Sequence, residues 1–356
     1  MTPQGGAPVG IKDVAREAGV SVGTVSNVLN RPDTVAPGTR DKVLATIEAL
    51  GYVRSESARQ LRSGSSRMVA VLVLDLANPF FAGVAKGAER AAAELGLRVM
   101  VCSSSQSPAE EADYLALFAE QRVRGVLVTP ADASGPNLER FRRHGIPCVF
   151  VDRALPADQG CSVAVDDVTG GALAVRHLLS GGHRRVTYVS GPPHLPQCQD
   201  RQAGALDALA EAGLPASALT RLTADRLDVA SGSDAGARLL GLPELPSAVF
   251  CANDLLALGV LQALVTAGVR VPEDVALVGY DDIEFAAAAA VPLTSVRQPA
   301  DRLGRVAVRL LAEEAGGGGD GPLTGHRHRA VVLRPELVVR GSSRSRGSSP
   351  PPPRSG

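Results

Sequence analysis

Residues Gly19 to Gly23, GVSVG, fit the G-x-S-x-G pattern of a hydrolase nucleophile elbow. There Ser21 would attack an acyl carbon from a sharp turn between a strand and a helix. A second candidate is His326-Arg327-His328, a weak hint of metal binding in an expected loop. A third set is polar and scattered. Asp152 and Arg153 close one apolar run, Arg201 lies shortly after another, Asn253 follows a third, and Asp281 ends a fourth. With Phe80 and Phe81 behind the first run, these groups suit a hydroxyl-rich ligand. Carboxylate, Arg and Asn bond the hydroxyls, and an aromatic face meets the ring.

The elements that must position these groups separate the candidates. Ahead of Ser21 stands IKDVAREAG, with Ile11, Val14, Ala15 and Ala18 at helical spacing and charged residues between them. An elbow needs a strand there, so the hydrolase context is missing. Gly19 instead stops a helix through a left-handed conformation. Ser21 caps the next helix, which buries Val25, Val28 and Leu29. A third helix follows Pro37, with Val43, Leu44, Ile47 and Leu50 turned inward. Helix, turn with Gly, helix and supporting helix make a helix-turn-helix unit. Val22, Gly23 and Asn27 then face outward where base edges are read. An ordinary three-helix cap with no DNA role has the same pattern.

The chain has 356 residues, 45% hydrophobic and 21% charged, with a formal net charge of zero. That size allows two or three compact units, and nucleic-acid affinity must come from local charge. Residues 11–67 hold nine Lys and Arg against six Asp and Glu, with Arg54, Arg59, Arg62 and Arg67 grouped near the end. A basic linker beside a reading helix would contact phosphates. Aromatics are 3% and Trp is absent, which argues against a stacking surface for single strands. The five cysteines are scattered with no C-x-x-C pair, so neither a disulfide scaffold nor a zinc site is expected. The N-terminus lacks a signal-peptide core and no apolar run reaches membrane-spanning length. The chain reads as cytoplasmic, with no membrane partner. No P-loop or G-x-G-x-x-G fingerprint occurs, and no cofactor, metal or catalytic residue is expected.

From Met68 to about residue 340 strand-like apolar runs alternate with Ala-rich helical runs. Seven strands are read at 68–76, 97–103, 124–130, 147–152, 185–191, 247–252 and 274–281. Apolar strands alternating with helices predict parallel sheets covered on both faces, and the length predicts two doubly wound subdomains. Ligands of such sheets bind beyond the carboxyl ends of the strands.

IKDVAREAGVSVGTVSNVLN, TRDKVLATIEALGYV and ARQL together resemble the lactose/galactose-repressor family of bacterial transcription regulators. The likeness continues in order through NPFF, VDR, GGALAVRHLLSGGHRRVTYVSGP, RQAG, CAND, VGYDD, PLTSVRQP and PELVVRGS. The resemblance implies an all-α helix-turn-helix headpiece at 11–54 after a leader at 1–10, and a hinge helix and linker at 55–67. It also implies an α/β core of two doubly wound parallel-sheet subdomains at 68–341, like a periplasmic sugar-binding protein. The first subdomain is expected at about 68–165 and 297–323, the second at about 166–296 and 324–341, with a disordered tail from Ser342.

By position, Val22, Gly23 and Asn27 match the family's base readers, with Ser21, Thr24, Ser26 and Asn30 suited to phosphates or caps. In the hinge, Ser55, Ala58, Arg59 and Leu61 fall on the DNA-binding segment, with Leu61 as a minor-groove wedge. In the core, Phe80 or Phe81 matches an apolar wall, and Asp152, Arg201, Asn253, Asp281 and Gln298 match residues lining an effector cleft. The implied partners are double-stranded operator DNA, a small effector such as a sugar or related metabolite, and a second copy of the chain. Gly10, Ala36 and Arg54 depart from the family's usual Thr or Ser, Ser, and Pro.

Overall fold

The computed structural model describes residues 9–53, 66–131, 137, 143, 145–156, 158–316 and 326–343. They form two compact units, Met1–Ser65 and Ser66–Gly356. Expectations for Arg54, Ser55, Ala58, Arg59 and Leu61 lie outside the described residues.

The first unit holds three helices, α1 (Ile11–Ala18), α2 (Val22–Asn30) and α3 (Pro37–Leu50). Val14, Ala15, Ala18, Val25, Val28 and Val43 form its core, with Leu29, Ile47 and Leu50 packed around it. Gly19 ends α1 at φ 63°, a left-handed geometry that needs no Cβ. Gly10 offers no side-chain cap, but its N–H donates to Asp13 Oδ2 at 3.0 Å. This bond is the first cause that holds the Asp13 carboxyl below its usual range; burial raises it slightly and Arg16 lowers it further. Ala36 starts α3 with no side-chain cap. Leu44 is 46% exposed rather than inward. The buried stripe of α3 runs Val43, Ile47, Leu50, and Leu44 lies about 100° away from it around the helix.

The second unit contains two six-stranded sheets. Its strands are β1 (Met68–Val73), β2 (Arg98–Ser103), β3 (Gly125–Val128), β4 (Cys148–Val151), β5 (Cys161–Val165), β6 (Val186–Ser190), β7 (Leu219–Thr223), β8 (Ala248–Cys251), β9 (Ala276–Asp281), β10 (Thr294–Arg297), β11 (Ala330–Leu333) and β12 (Glu336–Val338). Its helices are α4 (Pro79–Glu94), α5 (Pro108–Glu120), α6 (Asp167–Ser180), α7 (Pro196–Glu211), α8 (Val229–Leu240), α9 (Asp254–Thr266), α10 (Glu284–Ala288) and α11 (Ala300–Glu314). The first sheet has the order β11-β5-β4-β3-β1-β2 and is wholly parallel. The second has the order β12-β10-β9-β8-β6-β7 and is parallel except for β12.

Central strands such as β9 are buried at every residue, as a sheet covered on both faces requires. Several helices start where a polar side chain caps them: Asn78 accepts from Phe80 N, Asp166 from Thr169 N and Asn253 from Leu256 N.

The chain passes between the sheets three times: after β5, after β10 and between β11 and β12. The last crossing moves one expected boundary. Residues 330–333 belong to the first sheet, because β11 pairs with β5. The second sheet regains the chain only at β12. Ser342 and Ser343, placed by sequence in the tail, belong to the packed core. Both are buried, and Ser342 Oγ accepts from Thr294 N and donates to Leu277 O.

Helices pair through glycine. An added Cβ on Gly204 of α7 would sit 1.8 Å from Val168 O of α6, and one on Gly171 of α6 would sit 2.0 Å from Arg201 O. Gly87 and Gly304 relate α4 and α11 in the same way, at 2.0 Å each. Backbones at this distance lock the helices carrying the polar residues described next.

Candidate functional site

In the first unit, Val22, Gly23 and Asn27 are exposed at the start and along the outer side of α2. Ser21 Oγ accepts from Thr24 N at 3.0 Å and lies 2.9 Å from Thr24 Oγ1. Its bonds are those of a helix cap, and α1 rather than a strand precedes it. Asn30 Nδ2 donates to Ser26 O at 2.7 Å and to Ser26 Oγ at 3.2 Å. The polar groups flanking α2 are therefore held in place, while Val22, Gly23 and Asn27 face solvent.

In the second unit a cleft lies beyond the carboxyl ends of both sheets. Its cavity volume is about 30 Å³, within about 410 Å³ of space between lining atoms that includes open solvent. Phe80, Phe81, Asp152, Arg201, Asn253, Asp281 and Gln298 all line it, as expected from sequence. Arg153 does not. It follows the turn made by Asp152 (φ 60°) and lies near Asp200, whose carboxyl is raised by burial and then by Asp167, with Arg153 acting against this. Asn78, which follows the first strand at the expected edge of the pocket, also lines the cleft, as do Gln106 and Gln197, which were not expected. Gln197 stands four residues before Arg201 on α7, so helical spacing placed it on the same face.

Local geometry is unusual at this line. Gln106, Asp152, Asp281 and Asp282 all have positive φ, and the first three border the cleft. Such conformations carry a cost for non-glycine residues and gather at binding sites. Here they turn side chains at strand ends toward the gap between the sheets.

The cleft floor is a hydrogen-bonded network. Arg201 Nε donates to Asp167 Oδ1 at 2.8 Å and its Nη1 to Ala252 O at 2.6 Å. Its guanidinium lies 3.7 Å from the Tyr280 ring centroid. Asp281 accepts from Asn78 Nδ2 at 3.0 Å and from Gln298 Nε2 at 2.7 Å. Gln197 Nε2 donates to Asp152 O and Oδ2 at 3.1 and 3.0 Å. Asn253 caps α9 with Oδ1 and donates through Nδ2 to Leu227 O at 3.2 Å, so both ends of its amide are engaged.

These bonds fix the amides of Gln197 and Gln298 with nitrogen toward protein. Their Oε1 atoms, with Gln106 Oε1 and Asp152 Oδ1, are buried without a hydrogen-bond partner. Buried acceptors of this kind cost stability unless something donates to them. Arg201 is the only cation among the described lining residues, and Asp167 already pairs with it.

Burial pushes the Asp152 carboxyl up to about 8, helped by Asp167 and opposed by Arg201 and the Gln197 bond. Burial raises Asp281 to about 6, against the pull of Arg201, Asn78 and Gln298. Both carboxyls are more acidic in the unfolded chain, near 3.8. Between about pH 4 and 8, unfolding therefore releases protons, and stability falls as pH rises through that window. Denaturant titrations of ligand-free protein across that range should show this fall, and Asp152→Asn should flatten it. An equally steep fall in the variant would remove Asp152 from the account.

Residues 10–55 match the family model of bacterial regulatory proteins of the lacI family, and residues 175–343 match a periplasmic binding protein-like domain. A transcriptional repressor, PurR of Photobacterium profundum, is 34% identical over 93% of this chain and 98% of its own length. The chain belongs to the lacI family of bacterial regulators. PurR of Vibrio parahaemolyticus is also 34% identical, over 93% of this chain and 97% of its own. The regulator CelR in complex with cellobiose is 33% identical, covers 94% of this chain and all of its own, and superposes with a TM-score of 0.69. The lac repressor dimer bound to operator and an anti-inducer is 27% identical over 95% of this chain and 99% of its own, with a TM-score of 0.78.

The lacI-family chain is thus a DNA-binding transcriptional repressor with a ligand-binding core, and it is not an enzyme. Among the described residues no helix is long and apolar enough to cross a membrane.

Proposed function

We propose that this repressor binds a pseudo-palindromic operator as a homodimer, and that a small uncharged metabolite in the core cleft sets its operator affinity. The observation that carries the effector reading is the set of buried polar atoms without a partner around the cleft: the amide oxygens of Gln106, Gln197 and Gln298, and Asp152 Oδ1 on a carboxyl that burial keeps largely protonated. A ligand rich in O–H or N–H donors satisfies them, and Phe80 and Phe81 offer its flat face an apolar wall. A sugar or related compound has this chemistry. A phosphorylated ligand would meet the Asp281 carboxylate, while Arg201 is already paired with Asp167 and the cation nearest Asp75, Arg226, with Asp75 itself. CelR, which is similar along nearly the whole chain, carries cellobiose, and the lac repressor carries an anti-inducer.

On the DNA side, α2 reads the major groove through Val22, Gly23 and Asn27, with Ser21, Thr24, Ser26 and Asn30 at its phosphate-facing ends. Val22 suits a thymine methyl and Asn27 a base edge. In the hinge, Ser55, Ala58 and Arg59 lie along DNA and Leu61 wedges the operator centre. Effector binding changes the angle between the two sheets, and the change reaches the hinge through the dimer interface.

Selection of duplexes from a random pool should enrich a palindrome with a flexible central step. Leu61→Ala should lower affinity for that operator by about tenfold or more and reduce its bending. Unchanged affinity and bending would remove the wedge. Sugars, nucleosides and nucleobases added to the operator complex should shift its affinity in one chemical class only. A shift caused by a phosphate ester would overturn the uncharged-ligand reading.

A further inference from the structure

On the first sheet, away from the cleft, four side chains from three chain segments converge. Cys161 opens β5, Glu314 closes α11, and His326 and His328 lead into β11. One ligand atom from each lies within 4.8 Å of the others. Cys161 Sγ is 3.1 Å from His326 Nε2 and 3.7 Å from His328 Nδ1, and His328 Nδ1 is 4.0 Å from Glu314 Oε2.

We propose that Cys161, Glu314, His326 and His328 form a binding site for a divalent transition metal, with zinc the ion that fits best. Thiolate, imidazole and carboxylate are the donor types zinc takes, and four of them close a tetrahedron. Bonds of about 2.0–2.3 Å at tetrahedral angles put ligand atoms roughly 3.3–3.8 Å apart. The three distances above bracket that range, so a small inward movement completes the shell.

Two further features favour an ion. Glu314 Oε2 is buried with no hydrogen-bond partner, an orphan that a cation would satisfy. The other carboxylate oxygen accepts from Cys148 N at 3.4 Å, which orients the group. A cavity bordered by Glu314, His328, Cys148 and Asp158 gives an entry path from solvent. The sequence offered only the His326-Arg327-His328 hint, because Cys161 lies about 165 residues from the histidines. Only the parallel pairing of β5 with β11 joins them.

Binding is expected to release the Cys161 thiol proton as the Sγ–metal bond forms. The bound ion would tie the end of α11 to the edge of the first sheet.

The test is cobalt(II) titration of the full-length protein after metal stripping and thiol reduction. Stoichiometric cobalt should produce a thiolate charge-transfer band and the visible bands of a tetrahedral centre, and zinc should bleach both. Cys161→Ser should abolish the charge-transfer band. His328→Ala should weaken cobalt binding by at least about tenfold. Cys148→Ser should keep the band, since that thiol lies outside the four. Circular dichroism of each variant without metal separates a lost site from a lost fold. If Cys161→Ser fails to fold, the His326→Ala/His328→Ala pair makes the same test. A folded wild type with no cobalt bands, or a band that survives in folded Cys161→Ser, overturns the proposal.

Discussion

Arg201→Leu is expected to cost the second unit about 3–5 kcal/mol and to abolish effector binding. The guanidinium is buried, with 4% of its side chain exposed, and the Asp167 carboxylate beside it has 6%. Removing one partner strands the other charge in a site with little water. The same change leaves Ala252 O without its 2.6 Å donor and takes the cation off the Tyr280 ring. Burying an ion pair is not favourable in itself, so the loss comes chiefly from the stranded carboxylate. Arg201→Leu with Asp167→Leu should therefore recover most of the stability while binding stays lost. Urea denaturation of the two variants beside wild type decides this. A double variant no more stable than the single one would show that Arg201 acts through packing rather than through its charge.

Gly204→Ala should also destabilise, against the usual preference of helices. An interior glycine generally costs about 0.5–1 kcal/mol relative to alanine, so propensity alone predicts a gain. Space decides otherwise. The new methyl would fall 1.8 Å from Val168 O and 2.8 Å from Ala172 N, both backbone atoms of α6. The helices must part, and overpacking of this kind typically costs about 1–3 kcal/mol or more. Gln197 and Arg201 ride on the displaced helix, so effector affinity falls as well. Gly38→Ala in α3 is the contrast: nothing lies within 4 Å of its added Cβ, and stability should rise. Thermal melts of the two variants should move in opposite directions. A melting temperature of Gly204→Ala at or above wild type would show that the helices yield.

Much of this was readable beforehand, and the exceptions have physical reasons. The strands found in sequence are runs dense in Val, Leu and other apolar residues, such as 68–76 and 274–281. The five missed have weaker patterns. Leu219–Thr223, LTRLT, is an edge strand with one face in solvent. Thr294–Arg297 and Ala330–Leu333 take their places from pairing with distant strands rather than from a strand–helix alternation. Glu336–Val338 has only three residues. Cys161–Val165 is apolar, but no helix among the described residues separates it from β4 to set a rhythm. Six of the expected cleft residues stand at or near strand or helix ends, where doubly wound sheets keep their ligands, and the seventh, Arg201, reaches the cleft from within α7. Arg153 shared that address, but the reversed φ of Asp152 parts the two neighbours. Asn78 gave only its place after the first strand, and Gln106 gave no signal, because a helix cap and a turn are ordinary places for such residues. Their importance lies in what they meet across the fold, such as Asp281, 203 residues along from Asn78.

The two edge strands β11 and β12 have a consequence for how the molecule is made. They lie at the outer borders of the two sheets, yet they come from the last stretch of described residues. A nascent chain leaves the ribosome from its N-terminus, so the three-helix headpiece is free to fold early in synthesis. Both sheets stay open at one border until residues 330–338 emerge. The headpiece is therefore free to fold before the core is finished. A chain cut short within this region would lack an edge strand in each sheet of the core. Completeness of translation thus becomes a condition for control.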